Sequence, residues 1–266
     1  MILYKYYSST AGLIALESSK VGFRTPIYFN DPFEASVICG KAFTSERVSN
    51  TLKSVAILSL TRNPLNALMW AHYGEEHKGI VIGYEVDDPF FQCKKTNLIP
   101  VQKGNVIYTK TKPFLRTSTK VTTELCNAIE GLINEKDYDL ITDLTNHLFL
   151  NKDTIWSYEE EVRVVKSIIN VTMETSELWE NPYHRYSTVN EQLELGFSKE
   201  KISGLKIYDY PVKIKEIFLG VRNSFLEANN TDAINLIKKI NSHNIKIYSV
   251  SVDYKSWNLV KKLVKF

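Results

Sequence analysis

The sequence predicts an α+β fold, with a single domain over residues 1–266, a central mixed sheet flanked by helices, and a helical insertion at about 114–150. Three observations lead there. Ser54–Leu60 and Gly79–Val86 are continuous apolar runs of strand length, as strands buried on both faces require. Between them, Asn63-Pro64 puts a capping side chain beside a proline at the first helical position, which predicts a helix over Pro64–Tyr73 ended at Gly74. Neither an internal repeat nor a low-complexity linker divides the chain, and a composition of 44% hydrophobic and 24% charged residues is that of an ordinary globular domain.

The remaining elements follow in order. Ile2–Tyr7, aromatic and branched, is a strand, and Ala11–Ser18 a short helix whose core face is Leu13, Ile14 and Leu16. Lys20–Thr25 is extended and Pro26–Pro32 a loop. Asn97–Tyr108 reads as a hairpin turning near Gly104. Val121, Leu125, Ile129 and Leu132 recur at helical spacing, as do Leu140, Ile141, Leu144 and Leu148, so the insertion is two helices. Val162–Ile169 and Lys213–Leu219 are strands, separated by a polar excursion over Thr175–Ser203. A helix carrying Ala233, Ile234, Ile237 and Ile240 ends near His243-Asn244, and Ile245–Val252 is the last clear strand. Trp257–Phe266 fits neither pattern.

Composition excludes several classes of function. A net charge of +3 supplies no footprint for non-specific nucleic-acid binding, so none is expected. No run has the length of a membrane span, so no membrane partner is expected. Met1–Ser8 carries no secretory pattern, and Cys39, Cys93 and Cys126 are odd in number and lack Cys-x-x-Cys, so a cytoplasmic location is expected. Glycine-rich dinucleotide and phosphate loops and the Gly-x-Ser-x-Gly elbow are missing, which removes the usual warrant for a dehydrogenase, a P-loop nucleotidase or an α/β-hydrolase.

Three segments could carry chemistry. Phe29-Asn-Asp-Pro-Phe-Glu34 places two aromatics and two carboxylates in six residues, although Asn-Asp-Pro is also a turn former, which leaves Asp31 divided between a turn and a pocket wall. In Met69-Trp-Ala-His-Tyr73, Trp70 and Tyr73 serve equally as core or as a stacking surface for a ring. His72 and His77 are five apart across Gly74, which is the wrong spacing for a helical metal pair, and no metal site is expected. In Trp156-Ser-Tyr-Glu-Glu-Glu-Val-Arg163, the two-residue period of an early-starting strand puts Glu159, Glu161 and Arg163 on one face. A surface ion pair on an edge strand is the plainer alternative. The charged face needs partners, and we expect Glu161 and Arg163 to share a cleft with Asp31 and His72, with Asp31 or Glu34 pairing Arg163 and the pKa of at least one glutamate raised.

In this order, Leu3-Tyr-Lys-Tyr6, Phe29–Glu34, Met69–Tyr73 with His77-Lys-Gly79, Trp156–Arg163 and Phe218-Leu-Gly220 resemble a bacterial family known as domain of unknown function 2971. A remote resemblance to ADP-ribosyltransferases rests on Tyr4-Lys-Tyr6, Ser59-Leu-Thr61 and Glu159-Glu-Glu161, in the order of that fold's first-strand polar residue, middle Ser/Thr motif and Glu-x-Glu. The first strand lacks the usual His or Arg. The resemblance implies NAD as the substrate, Glu161 as the essential carboxylate, Glu159 aiding the acceptor, and Arg163 beside them. Tyr4, Lys5, Tyr6, Ser59, Trp70, His72 and Asp31 would border NAD. It also implies a toxin or phage-defence effector, a macromolecular or small-molecule acceptor, and an antitoxin partner. Two other readings stand beside it. One is a nuclease using Asp31, Glu34 and Glu161 around Mg²⁺, and the other is a non-catalytic sensor or interaction module in which Asp31 and Arg163 pair structurally.

Overall fold

A computed structural model describes residues 1–34, 38–39, 52–94, 96–112, 114–115, 138–168, 186–188, 202–225, 227, 230–241 and 245–265. The strands are β1 (Ile2–Tyr7), β2 (Gly22–Arg24), β3 (Ile38–Cys39), β4 (Val55–Thr61), β5 (Ile80–Glu85), β6 (Ile107–Thr109) and β7 (Phe114–Leu115). They continue with β8 (Asn151–Asp153), β9 (Glu161–Ser167), β10 (Tyr186–Thr188), β11 (Leu205–Tyr208), β12 (Ile214–Leu219), β13 (Lys246–Val252) and β14 (Leu259–Leu263). The α-helices are α1 (Ser9–Ser18), α2 (Ala67–Tyr73), α3 (Pro89–Gln92), α4 (Tyr138–Phe149) and α5 (Thr231–Asn241). The expected α+β class, with a large mixed sheet and helices against it, is the class observed.

The sheet runs β10-β11-β2-β4-β1-β5-β12-β13-β14, with β9 paired to β4 outside that path. Only β12 and β13 are parallel within it. Strand β4 is the branch point. Its ladder with β9 runs from Val55↔Ser167 to Thr61↔Glu161, leaving β1 and β2 to divide its other edge. There β1 touches it at Tyr4↔Thr61 and β2 at Arg24↔Ile57. Between those contacts the carbonyl of Ser59 accepts a hydrogen bond from Lys5 Nζ at 3.4 Å. The sheet therefore opens where β1 and β2 diverge from β4.

Two apolar layers lock the branch. Leu58, Leu60, Val162 and Val164 pack with Phe23, Phe90 and Tyr208 on one side. Val55, Ile57 and Val165 pack against Leu144, Leu148 and Phe149 of α4 on the other. Helix α1 starts where Ser8 Oγ accepts from the Ala11 amide at 3.3 Å. Helix α2 begins three residues later than Pro64, because Asn63 takes the Leu65 amide in the preceding turn and Asn66 caps the amides of Leu68 and Met69.

After α2, Glu75, Glu76 and His77 are all left-handed, with φ of 50°, 53° and 70°. Such residues are strained without glycine, and their surroundings hold them. The Glu75 carboxylate accepts from the Ser9 amide and hydroxyl at 2.8 and 2.7 Å, while the His77 amide donates to the Trp70 carbonyl and the His77 carbonyl accepts from the Arg222 amide. A Cβ on Gly79 would lie 2.0 Å from the Tyr7 carbonyl oxygen, and one on Gly220 2.2 Å from that of His77. The His77-Lys-Gly79 and Phe218-Leu-Gly220 motifs thus interlock the ends of β5 and β12.

One expectation needs correction, and one open segment is assigned. Asn97–Tyr108 is not a hairpin. It follows the free edge of β9 through the bridges Ile99↔Val165 and Asn105↔Val162, with Gly104 pressed against the Arg163 backbone. The ambiguous C-terminus is a strand, β14, antiparallel to β13. Of the two insertion helices, only α4 lies within the described residues, and the expected excursion and His243-Asn244 cap fall largely outside them.

Candidate functional site

A pocket of about 400 Å³ opens at the divergence of β1 and β2 from β4. Tyr4, Lys5 and Tyr6 contribute from β1, Arg24 from β2, and Ser59 and Thr61 from β4. Phe29, Asn30 and Glu34 form a second wall, Met69, His72 and Tyr73 of α2 a third, and Lys152, Glu159 and Glu161 the floor.

The floor is a charge cluster. Arg163 is buried, and its guanidinium grips Glu161 at both oxygens, Nε to Oε1 at 2.8 Å and Nη2 to Oε2 at 2.9 Å. The same Nη2 donates to Glu34 Oε1 at 2.6 Å, and Nη1 to the Phe149 carbonyl at 2.7 Å. Lys152 Nζ stands among three carboxylates, 2.7 Å from Glu159, 3.1 Å from Glu34 and 3.4 Å from Glu161. The Trp156 ring covers it at 5.0 Å, and the Phe29 ring lies 5.8 Å from the Arg163 guanidinium. Glu159 also accepts from the Tyr73 hydroxyl at 2.7 Å, and that hydroxyl takes Asn30 Nδ2 at 3.3 Å.

Local backbone explains how residues so close in sequence all reach one cation. Glu159 is not on β9. It ends a 3-10 turn over Thr154–Glu159, and Glu160, left-handed at φ 45°, swings the chain into the strand. The Glu161 amide is held by the Tyr108 hydroxyl at 2.8 Å, and the parallel pair Tyr108↔Lys152 brings β8 alongside. Asn66 Nδ2 ties α2 to the Tyr158 carbonyl at 2.9 Å.

The environments of the two glutamates differ. Burial pushes the pKa of Glu159 up, against the pull of Lys152. Burial also penalises ionised Glu161, but Arg163 and Lys152, with a hydrogen bond from Ser59, outweigh it and hold its pKa at about 2. Lys5, desolvated beside Glu161, is pushed down to about 8. A carboxylate that stays ionised thus neighbours one able to hold a proton, the separation that acid–base pairs use.

Of the residues singled out in the sequence, Tyr4, Lys5, Tyr6, Ser59, His72, Glu159 and Glu161 line this pocket. Arg163 lies behind the floor. Two others are not brought together with them. Asp31 faces an adjoining pocket of about 220 Å³ and accepts the Phe33 amide at 2.9 Å in the turn that Asn-Asp-Pro foretold, so Glu34, not Asp31, is the partner of Arg163. Trp70 is fully buried with Met69, Val81 and Phe218, its indole N–H on the Pro64 carbonyl at 2.9 Å, which makes it core and not a stacking surface. The nuclease arrangement loses its geometry, since Asp31 is apart and Arg163 and Lys152 fill the space among the carboxylates. Among the described residues no group of three or more His, Cys, Asp and Glu could hold a metal ion.

Sequence reasoning missed Lys152 and Arg24. Neither sits in a recognisable motif, and Lys152 becomes central only through the parallel pairing of β8 with β6, which sets it opposite Tyr108.

The model of a family described as a protein of unknown function (DUF2971) matches residues 69–164, from the start of the Met69 motif through Arg163. This bears out the family resemblance over that stretch. No curated protein and no solved structure matches the chain. Among the described residues no helix is long and apolar enough to cross a membrane.

Proposed function

We propose that the pocket performs glycosyl transfer at an N-glycosidic bond, with NAD as substrate in the manner of an ADP-ribosyltransferase. The observation that carries this reading is the pair Glu159 and Glu161, one carboxyl pushed toward protonation and the other fixed as an anion, on the floor of one cleft. Breaking the nicotinamide–ribose bond sends the bonding pair to the ring nitrogen and leaves cationic character on the ribose. Ionised Glu161, held rigid by Arg163, stabilises that charge without having to reorient. Glu159 accepts the proton of the acceptor as its lone pair closes on the anomeric carbon. Tyr4, Tyr6 and Phe29 offer ring surface, and Arg24 and Lys5 offer cations for the diphosphate.

The test is incubation with NAD labelled on the nicotinamide and on the adenylate, alone and with cell lysate. Nicotinamide release that Glu161→Gln abolishes, and label transfer that Glu159→Gln abolishes, are the expected results. Absence of both release and label transfer overturns the proposal.

One observation favours a second reading, the non-catalytic module. Arg163, Lys152 and Ser59 together occupy the lone pairs of Glu161, so the cluster also has the form of a clamp joining β9, β8 and the Glu34 turn. Under that reading Glu159→Gln and Glu161→Gln change stability, and no NAD is consumed.

A further inference from the structure

From the tip of the β13–β14 hairpin we infer a docking surface for anionic lipid bilayers, independent of the pocket chemistry. Docking of this kind needs no membrane span. Tyr254 and Trp257, in the turn between the two strands, are 100% and 103% exposed, so no neighbour covers either ring. Just behind them Val252 and Val260 are also exposed, at 50% and 41%. An exposed aromatic pair on a protruding tip is costly in water and suits the interface between headgroups and acyl chains.

The turn is built to hold that presentation. Asp253 Oδ1 accepts the Lys255 amide at 3.0 Å and Oδ2 the Ser256 hydroxyl at 2.6 Å. Asn258 Nδ2 donates to Ser256 Oγ at 3.0 Å, and the Asp253 amide closes on the Asn258 carbonyl at 3.0 Å. The side chains of Asp253, Ser256 and Asn258 thereby partner groups within the turn, which lowers the cost of taking them out of bulk water.

Charge selects the partner. Residues 246–266 hold five lysines, at 246, 255, 261, 262 and 265, against one acid, Asp253. The whole chain carries +3, so its entire basic excess resides in this hairpin and the remainder is slightly acidic. The charges follow the rings along the strand, which at roughly 3.4 Å per residue places Lys262 at headgroup depth when the tip is inserted, while the Lys261 ammonium lies over the rings of Tyr248 and Phe218 at 4.3 and 5.1 Å. A second copy is disfavoured as the occupant, because pairing along β14 would oppose adjacent lysines. A single-stranded nucleic acid is served by a basic groove lined with aromatics, whereas these rings sit on a convex tip.

The experiment is flotation of the full chain with phosphatidylcholine vesicles, with and without about a third phosphatidylserine. Binding is expected only to the anionic vesicles and should fade at high salt. Trp257→Ala should weaken it about tenfold, and Lys255→Gln, Lys262→Gln and Lys265→Gln together about a hundredfold. These side chains are exposed, so the melting temperature should stay unchanged and loss of fold is checked directly. Failure to bind anionic vesicles overturns the inference, as does binding that the variants leave intact. Tighter binding to a labelled 20-mer single strand, or self-association abolished by the same substitutions, would replace it with the other occupant.

Discussion

Glu159 and Glu161 share one ammonium: Lys152 Nζ lies 2.7 Å from Oε2 of the first and 3.4 Å from Oε2 of the second. With Glu34 and Arg163 the cluster holds three acids and two bases, all with side chains at most 6% exposed. Removing one base leaves buried acids without compensation. Lys152→Met should therefore cost about 3–5 kcal/mol at neutral pH in urea unfolding. Glu159→Gln added to it should restore at least about 1 kcal/mol, a coupling that a double-mutant cycle reads directly.

The same cluster sets a pH dependence with two opposed limbs. Glu159 has a raised pKa in the fold, so its contribution is greatest at pH below about 4.5 and is lost as pH rises through the folded value. Glu161 is depressed to about 2, so its contribution is present above about 4.5 and is lost as pH falls toward 2. The second limb amounts to about 3 kcal/mol. Melting temperatures across pH 2–8 should show Glu161→Gln lacking the acid loss and Glu159→Gln lacking the decline above 4.5. Parallel profiles for parent and variants would contradict both assignments.

The strands at the centre of the fold were legible because β4 and β5 are buried along nearly their whole length and so read as apolar runs, whereas β9, equally buried, carries Glu161, Arg163 and Lys166 among its valines. The convergence of Phe29–Glu34, Met69–Tyr73 and Trp156–Arg163 was legible from the density of polar and aromatic residues beside those strands. What was not legible depends on long-range pairing or unusual backbone. Lys152 gains its role from β6 and β8, which form a sheet of their own. Glu159 reaches the cluster through a left-handed glutamate at 160, a conformation that no residue type there announces. Trp70 turned inward because the neighbouring turn offered its indole a carbonyl.

Two glycines are architecture and should behave so. A methyl group on Gly220 would meet the His77 carbonyl, and one on Gly79 the Tyr7 carbonyl, with no flexible side chain to yield. Gly79→Ala and Gly220→Ala should each destabilise by about 2–3 kcal/mol or more in urea unfolding. Both positions lie outside the pocket lining, so whatever folded protein remains should bind pocket ligands as the parent does.

Lys166 provides the sharpest stability prediction. It follows Arg163 on β9 but points into the opposite layer, fully buried, with Nζ on the carbonyls of Phe90 at 3.2 Å and Thr96 at 3.4 Å. The rings of Phe90, Tyr208 and Phe23 surround the ammonium at 4.5, 5.4 and 5.9 Å. Two carbonyls and three ring faces replace hydration poorly, and burial pulls its pKa down to about 7. An unfolded lysine titrates near 10.5, so between about 7 and 10.5 the unfolded chain binds more protons and stability must rise with pH. Below pH 7 both states are charged and the full cost is felt. Lys166→Met keeps the length of the side chain and removes the charge, and should stabilise the protein by about 1–3 kcal/mol at pH 7. The gain should shrink steadily toward pH 10 in paired urea titrations of parent and variant. A gain independent of pH would mean that the amine keeps its ordinary pKa and stays charged in the fold across this range, and a loss at every pH would mean that the aromatic cage holds the cation better than water does.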